Sequence, residues 1–213
     1  MLTNQLVIEM AAKTDLDSRS AIFAAAATAF SARGFDGVGV DDIARQAGVN
    51  KAMIYYHFAD KLALYREVVG EMMGAVGARV TAVAEAHAAA PDKLDAFIAA
   101  FMEMADQRPW FPTMLLREIA EGAPHLDVDT LGRLRVIIAA FSRILAEGQA
   151  SGAFRPVHPV LAYVSVVGPL MFNAARERVA AQPGRAHIPM LVDIPHSDLL
   201  SHMQLAARRM LEP

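Results

Sequence analysis

An acid-free stretch of basic and phenolic side chains is the feature of this sequence best suited to binding chemistry. No Asp or Glu occurs between Asp42 and Asp60. Lysine, arginine and tyrosine donate hydrogen bonds to phosphate oxygens or base edges, and an aromatic ring contacts a thymine methyl group. The side chains of this kind in and beside the stretch are Arg45, Asn50, Lys51, Tyr55, Tyr56 and His57. They indicate a local site for nucleic acid.

A second group of side chains indicates different chemistry, because carboxylates and a histidine occur close together in the chain. The group consists of Glu118, Glu121, His125, Asp127 and Asp129. Glu118 and Glu121 share a helix face and His125 follows within reach, so a divalent metal is chemically possible and a metal-dependent enzyme is the alternative. The sequence adds no paired His-x-x-x-His, nucleophile motif or glycine-rich phosphate loop. We therefore expect a solvated helix end, with no catalytic residue, metal or cofactor.

Short helices must hold the basic and phenolic side chains in place. Apolar residues recur every three or four positions over 18–32, 40–47 and 51–58, which predicts three helices. Gly48 ends the second of them, and Asn50 is a good N-cap for the third. Two short helices joined by a glycine turn have the spacing of a helix-turn-helix, in which the second helix enters the major groove.

The remainder of the chain has the pattern of longer amphipathic helices separated by Pro and Gly. We predict helices over 60–86, 91–107, 110–121, 128–150, 158–181 and 196–211. No strand pattern occurs, so the expected fold is all-α with about nine helices. The predicted parts are a flexible arm over 1–17, a helix-turn-helix domain over 18–64, and an effector-binding and dimerisation domain over 65–213.

A longer motif runs through the predicted helix-turn-helix. It reads Ile22-Phe23, Ala25-Ala26, Phe30, Gly34-Phe35, Val40, Ile43-Ala44, Ala47-Gly48-Val49, Ile54-Tyr55, His57-Phe58, Lys61 and Leu64. With this motif, residues 19–66 resemble the DNA-binding domain of the TetR family of bacterial regulators. The rest of the chain resembles that family in size and helical content.

The resemblance implies which side chains face DNA. These are Lys51, Tyr55 or Tyr56, and His57 from the third helix, and Lys61 at a phosphate from the start of the fourth. Tyr55 lies beside Ile54 and three residues before Phe58, so it is the tyrosine more suited to the core, and Tyr56 is the stronger candidate for contact.

Two departures from the family pattern affect the phosphate contacts. Val38-Gly39 stands where the family has a Thr or Ser before the second helix, and the third helix opens with Asn50-Lys51-Ala52 instead of Ser-x-Gly. Hydroxyl contacts from positions 38 and 39 are therefore absent. Asn50 can still cap the helix and contact a phosphate, but the operator sequence cannot be transferred from the family.

Specific binding favours a homodimer, because two recognition helices on a symmetric dimer contact both halves of a palindromic operator. We predict a four-helix interface built from the last two helices of each subunit. Its residues are Leu161, Val164, Gly168, Met171, Ala175, Leu199, Leu200, Met203, Ala207 and Met210. The alternative is that these residues form the core of a single subunit.

An aromatic and methionine-rich cluster predicts where a small effector would bind. It contains Phe97, Phe101, Met104, Trp110, Phe111, Met114 and Leu115, and apolar ligand sites favour such walls. The family resemblance implies an effector there that shifts the protein to a conformation with low DNA affinity. The helix over 60–86 would carry the movement, and repression of transcription is the expected effect of DNA binding. The alternative is a solid core in a regulator without an effector.

Composition excludes several other classes of protein. The formal net charge of −3 is unlike that of a general polyanion binder, so DNA contact must be local. The chain has no Cys, which excludes disulfides and is compatible with a cytoplasmic protein. Residues 156–175 carry no Asp, Glu, Lys or Arg, but prolines and Gly168 interrupt them. We therefore expect this segment to be buried and not to be a membrane helix.

Overall fold

The computed structural model describes residues 2–180 and 194–213, and its regular secondary structure there is all α-helix, as predicted. The helices are α1 (Leu2–Arg33), α2 (Val40–Ala47), α3 (Lys51–His57), α4 (Lys61–Glu85), α5 (Ala90–Gln107), α6 (Trp110–Glu121), α7 (Val128–Ala150), α8 (Pro159–Ala180) and α9 (His196–Leu211). The last residue of the helix predicted over 158–181 and most of the predicted break after it lie outside the described residues.

The first helix is longer than the sequence pattern predicts. It begins at Leu2 rather than near Ser18, so residues 2–17 are helical where a loose arm is expected. Neither Gly nor Pro occurs between Leu2 and Arg33, so no residue in this segment interrupts the helix. The predicted start of α1 is therefore wrong.

The chain forms two compact units. The first contains the residues up to Val69 together with Arg117–Leu126, and the second contains Gly70–Leu116 and Asp127–Pro213. The first unit is thus larger than the predicted domain over 18–64, because a segment from the middle of the chain belongs to it. Two helices, α4 and α6, contribute residues to both units.

The core of the first unit forms where α1, α2 and α3 bury their apolar faces. Ile22, Phe30, Ile43 and Ile54 are fully buried. Gly34 ends α1 with a φ of 74°, a left-handed conformation that favours glycine. A Cβ atom there would also lie 2.6 Å from the end of the flexible Arg117 side chain, which would have to shift. The backbone conformation is therefore the main reason that this turn favours glycine.

A buried polar cluster joins Arg117–Leu126 to the rest of the first unit. Glu118 is 1% exposed, so the solvated helix end predicted for it is wrong. Its carboxylate accepts hydrogen bonds from the Tyr65 hydroxyl at 2.7 Å and the His125 backbone N–H at 3.3 Å, and His125 Nδ1 lies 2.8 Å away. These partners compensate the carboxylate for its lost hydration. Burial, and then the hydrogen bond to Glu118, raise the pKa of Tyr65 above its ordinary value.

The second unit packs α5 against α7, α8 and α9. Leu94, Phe97 and Phe141 are among its fully buried side chains. Helix α7 is joined to α4 by Arg133, which donates a 2.7 Å hydrogen bond to the Gly70 carbonyl. Within the described residues, no helix has the length and hydropathy needed to span a membrane.

Candidate nucleic-acid interface

The turn between α2 and α3 is built by one glycine and one cap. Gly48 has a φ of 68°, and its backbone N–H bonds back to the carbonyls of Ala44 and Arg45. The Asn50 side chain accepts a 2.9 Å hydrogen bond from the Ala52 backbone N–H. The N-cap predicted at Asn50 is thus confirmed, and the cap fixes the direction in which α3 leaves the turn.

The outer side of α3 carries exposed phenolic and basic groups, which we call the recognition face: Lys51, Tyr55 and Tyr56. Tyr55 is 51% exposed and Tyr56 is 71% exposed, whereas Ile54 is fully buried. A core position for Tyr55 is therefore wrong. Large exposed tyrosines on a short helix can place hydroxyl donors and ring edges in a DNA groove.

Acidic side chains of α2 pair with the basic groups near the recognition face, a feature that sequence reasoning missed. Lys51 Nζ lies 2.9 Å from Asp41 Oδ2, and Arg45 lies 2.9 Å from Asp42 Oδ1. The hydrogen bond from Arg33 to Asp42 holds the pKa of that carboxyl below its ordinary value, and the hydrogen bond to Asp41 raises the pKa of Lys51. Exposed pairs of this kind contribute little to stability because water screens them, so a DNA phosphate can compete for both cations.

His57 and Lys61 have other partners than the predicted DNA phosphates. The His57 side chain is 5% exposed, and its Nε2 lies 2.8 Å from Ser18 Oγ. Lys61 Nζ donates to the carbonyls of Phe35 at 3.1 Å and Val38 at 3.2 Å, and it lies 4.0 Å from the centre of the Phe35 ring. In the structure these groups fasten α3 and α4 to the preceding part of the unit. Their contacts with DNA stay predictions.

The predicted dimer residues divide between exposed and buried positions. Leu161, Val164 and Gly168 of α8 are exposed. Four further members are partly exposed: Ala175, Leu200, Met203 and Met210. Met171, Leu199 and Ala207 are buried within the subunit, because the inner faces of α8 and α9 pack into the core of the second unit. These three side chains are corrected to subunit core.

The predicted effector cluster is mostly packed in the second unit. Its buried members are Phe97, Phe101, Phe111, Met114 and Leu115, and Met104 and Trp110 are partly exposed. The Phe97 ring lies 6.2 Å from that of Phe101 and 5.3 Å from that of Phe141. Phe101 also lines a cavity of about 20 Å³ beside Leu170 and Asn173.

A larger cavity, of about 260 Å³, lies between α5, α8 and α9. Ile98, Val166 and Met203 are among its apolar walls, and Ser165 and His202 supply polar groups. The sequence prediction placed Met203 at a dimer interface and not at a cavity. In the described part of the chain, no group of three or more His, Asp or Glu side chains is arranged to hold a metal.

Comparisons with known proteins agree with this architecture. A family model described as bacterial regulatory proteins of the tetR family matches residues 22–68, and one described as a tetracyclin repressor-like C-terminal domain matches residues 91–182. The regulator RutR of Escherichia coli K12 is 30% identical over 141 residues, 66% of this chain and 66% of RutR, just under two thirds of its length.

Two further relatives are similar over different extents. IcaR of Staphylococcus aureus, described as a negative transcriptional regulator of the biofilm operon icaADBC, is 46% identical over 44 residues, 21% of this chain and 24% of IcaR. The ketosteroid transcriptional regulator KstR2 of Mycobacterium tuberculosis shares the fold, with a TM-score of 0.73 at 19% identity, covering 92% of this chain and 95% of that one. The chain belongs to the TetR family, whose members are DNA-binding transcriptional regulators and not enzymes.

Proposed function

We propose that this protein is a cytoplasmic homodimeric repressor that binds a palindromic operator through the recognition face of α3. The exposure of Lys51, Tyr55 and Tyr56 together on one short helix carries the proposal. Arg45 and Asn50 are exposed close by and add phosphate contacts. The description of IcaR as a negative regulator supports repression.

A dimer follows from the geometry of operator binding and is supported by α8. Leu161, Val164 and Phe172 are large apolar side chains that remain exposed on this helix. Exposed apolar patches of this kind mark protein interfaces. We propose that α8 and α9 of two subunits form a four-helix bundle that covers them.

A small apolar effector is the second part of the proposal. The hydroxyl of Thr113 in α6 is buried and makes no hydrogen bond to any described residue. It lies in the sequence between Phe111 and Met114, two members of the predicted effector cluster. A buried polar group without a hydrogen-bond partner destabilises the folded protein. An apolar ligand with one oxygen would supply that partner. Since α4 is continuous from one unit into the other, it is the proposed route to the recognition helix.

Selection of duplexes from a random pool tests operator binding. The full-length protein should recover an inverted repeat whose half-sites lie about one helical turn, or a multiple of it, apart. The double variant Lys51→Ala/Tyr56→Ala should recover no sequence. Recovery of the same repeat by the variant, or of no sequence by the wild type at low salt, would contradict the proposal.

A thermal-shift screen tests the effector. Ligands that bind the folded state raise the melting temperature by mass action, so a panel of ketosteroids and other apolar molecules that carry one oxygen should contain stabilising members. Thr113→Val, which keeps the side-chain volume and removes the hydroxyl, should reduce their effect. If no ligand stabilises the protein and operator binding is intact, the protein is a regulator without an effector, which is the second candidate function.

A further inference from the structure

His57 lies at the end of the recognition helix and is held from the side of α1. Its side chain is almost fully buried, with Nε2 2.8 Å from the Ser18 hydroxyl oxygen and 3.7 Å from Asp15 Oδ1. Asp15 and Ser18 lie at the border of the segment for which the sequence predicts a loose arm. In the structure both residues belong to α1, and α1 contacts α3.

The direction of the hydrogen bond follows from counting protons. A serine hydroxyl has one proton, and Ser18 Oγ donates it to the Asp15 backbone carbonyl at 2.8 Å. The remaining capacity of that oxygen is acceptance, so His57 donates through Nε2–H. Both the neutral tautomer that carries this proton and the protonated ring can make the bond.

The same part of α1 also contacts the residue after His57. The Arg19 guanidinium lies 5.1 Å from the centre of the Phe58 ring and pairs with Glu67 of α4. On the other side of His57, the Tyr56 ring meets the imidazole edge to face at 5.0 Å. A shift of the imidazole would therefore move the ring with the largest exposure on the recognition face.

We propose that His57 is a positioning residue: it anchors the end of the recognition helix to α1 through Ser18 and so sets how Tyr56 meets DNA. The inference rests on the proposed operator contacts of α3. The Nε2 proton of His57 is already donated to Ser18, and a phosphate contact through the rest of the ring would need an exposed side chain, whereas this one is almost fully buried. His57 therefore acts on DNA affinity through Tyr56 and not through its own contact.

Fluorescence-anisotropy titration of the selected operator, repeated at several salt concentrations, tests this role. Ser18→Ala removes the acceptor and keeps the helix, and Ser20→Ala, an exposed serine in the same helix, is the matched control. We expect Ser18→Ala to weaken binding about three- to tenfold, the size of one hydrogen bond, with no change in the salt slope. Ser20→Ala should bind like the wild type.

His57→Gln separates positioning from phosphate contact. The amide of Gln can donate to Ser18 as Nε2 does, so affinity should stay within about twofold of wild type, a difference smaller than one hydrogen bond. If His57 instead binds a phosphate, Ser18→Ala will bind as tightly as the wild type, and His57→Gln will lower the salt slope by about 0.9 for each phosphate that is no longer neutralised. That result would overturn the inference.

Lys51→Ala in the same titrations separates this inference from the proposed function. If Lys51→Ala loses affinity and Ser18→Ala does not, the positioning role is refuted and the interface stands. If neither variant loses affinity, the proposed interface itself is refuted. Circular dichroism and melting curves of each variant establish that the helices are intact.

Discussion

Removing one hydroxyl from the buried cluster around Glu118 should measurably destabilise the protein. In Tyr65→Phe the ring is kept, and the 2.7 Å hydrogen bond to Glu118 Oε1 is removed. Hydrogen bonds to charged groups contribute about 1.5–3 kcal/mol. The carboxylate keeps its contacts with His125, so it is not left without partners. We therefore expect a loss of about 2 kcal/mol in the free energy of unfolding, in the lower half of that range.

For a chain of 213 residues, each kcal/mol lowers the melting temperature by about 2–4 °C, so Tyr65→Phe should melt about 4–8 °C below wild type. Differential scanning calorimetry at one protein concentration measures this, because concentration affects the melting temperature of a dimer. Tyr163→Phe is the matched control, since burial alone raises the Tyr163 pKa and no hydrogen bond of its hydroxyl contributes within the described residues. An unchanged melting temperature for Tyr65→Phe at pH 7, or an equal loss in both variants, would refute the role given to the cluster.

Three further outcomes are expected. Val164→Glu should make the protein monomeric in sedimentation velocity, whereas Val136→Glu, at an exposed valine of α7, should not; a dimeric Val164→Glu contradicts the proposed interface. Gly148→Ala should lower the free energy of unfolding by about 1–3 kcal/mol or more, because the new Cβ would lie 1.9 Å from the Phe154 ring. Gly132→Ala, where a Cβ meets open space, should stabilise the helix. Similar denaturant midpoints for the two variants would refute the close contact between Gly148 and Phe154. Burial raises the pKa of Tyr163 to about 12 in the folded protein. The stability that comes from its neutral phenol is therefore complete below a pH of about 10, the pKa of an unfolded tyrosine, and is lost as the pH rises through the folded-state pKa. Tyr163→Phe should reduce this loss of stability at alkaline pH, and identical alkaline denaturation curves for the variant and the wild type would contradict the prediction.

Helix positions in this chain could be predicted from local patterns. α2 and α6 begin and end at the predicted residues, and Asn50 caps α3 as its type and position predict. Amphipathic spacing, glycine stops and a capping amide are short-range signals, so no tertiary information was needed. The start of α1 was missed because the pattern began at the first clearly amphipathic turn, although no helix-breaking residue occurs upstream of it.

Side-chain roles at the site depended on contacts distant in sequence. His57 fits a DNA-facing position by its place in the motif, but its partner Ser18 lies 39 residues away. The charged sequence around Glu118 is typical of a solvated helix end, but the burial of Glu118 depends on Tyr65 and His125 in other segments. The exposure of Tyr55 likewise follows from how α3 packs and not from its neighbours in the chain. Such pairings are not visible in a single sequence.

The recognition face can be tested most directly by measuring operator affinity with and without its side chains. In anisotropy titrations at fixed salt, Lys51→Ala/Tyr56→Ala should bind the selected duplex about 100-fold or more weakly, since each base contact is worth about 1–3 kcal/mol and phosphate contacts add to it. Arg209→Ala, at an exposed cation of α9, should bind like the wild type. If the double variant binds within about twofold of wild type, a small fraction of one such contact, α3 does not contact DNA through this face.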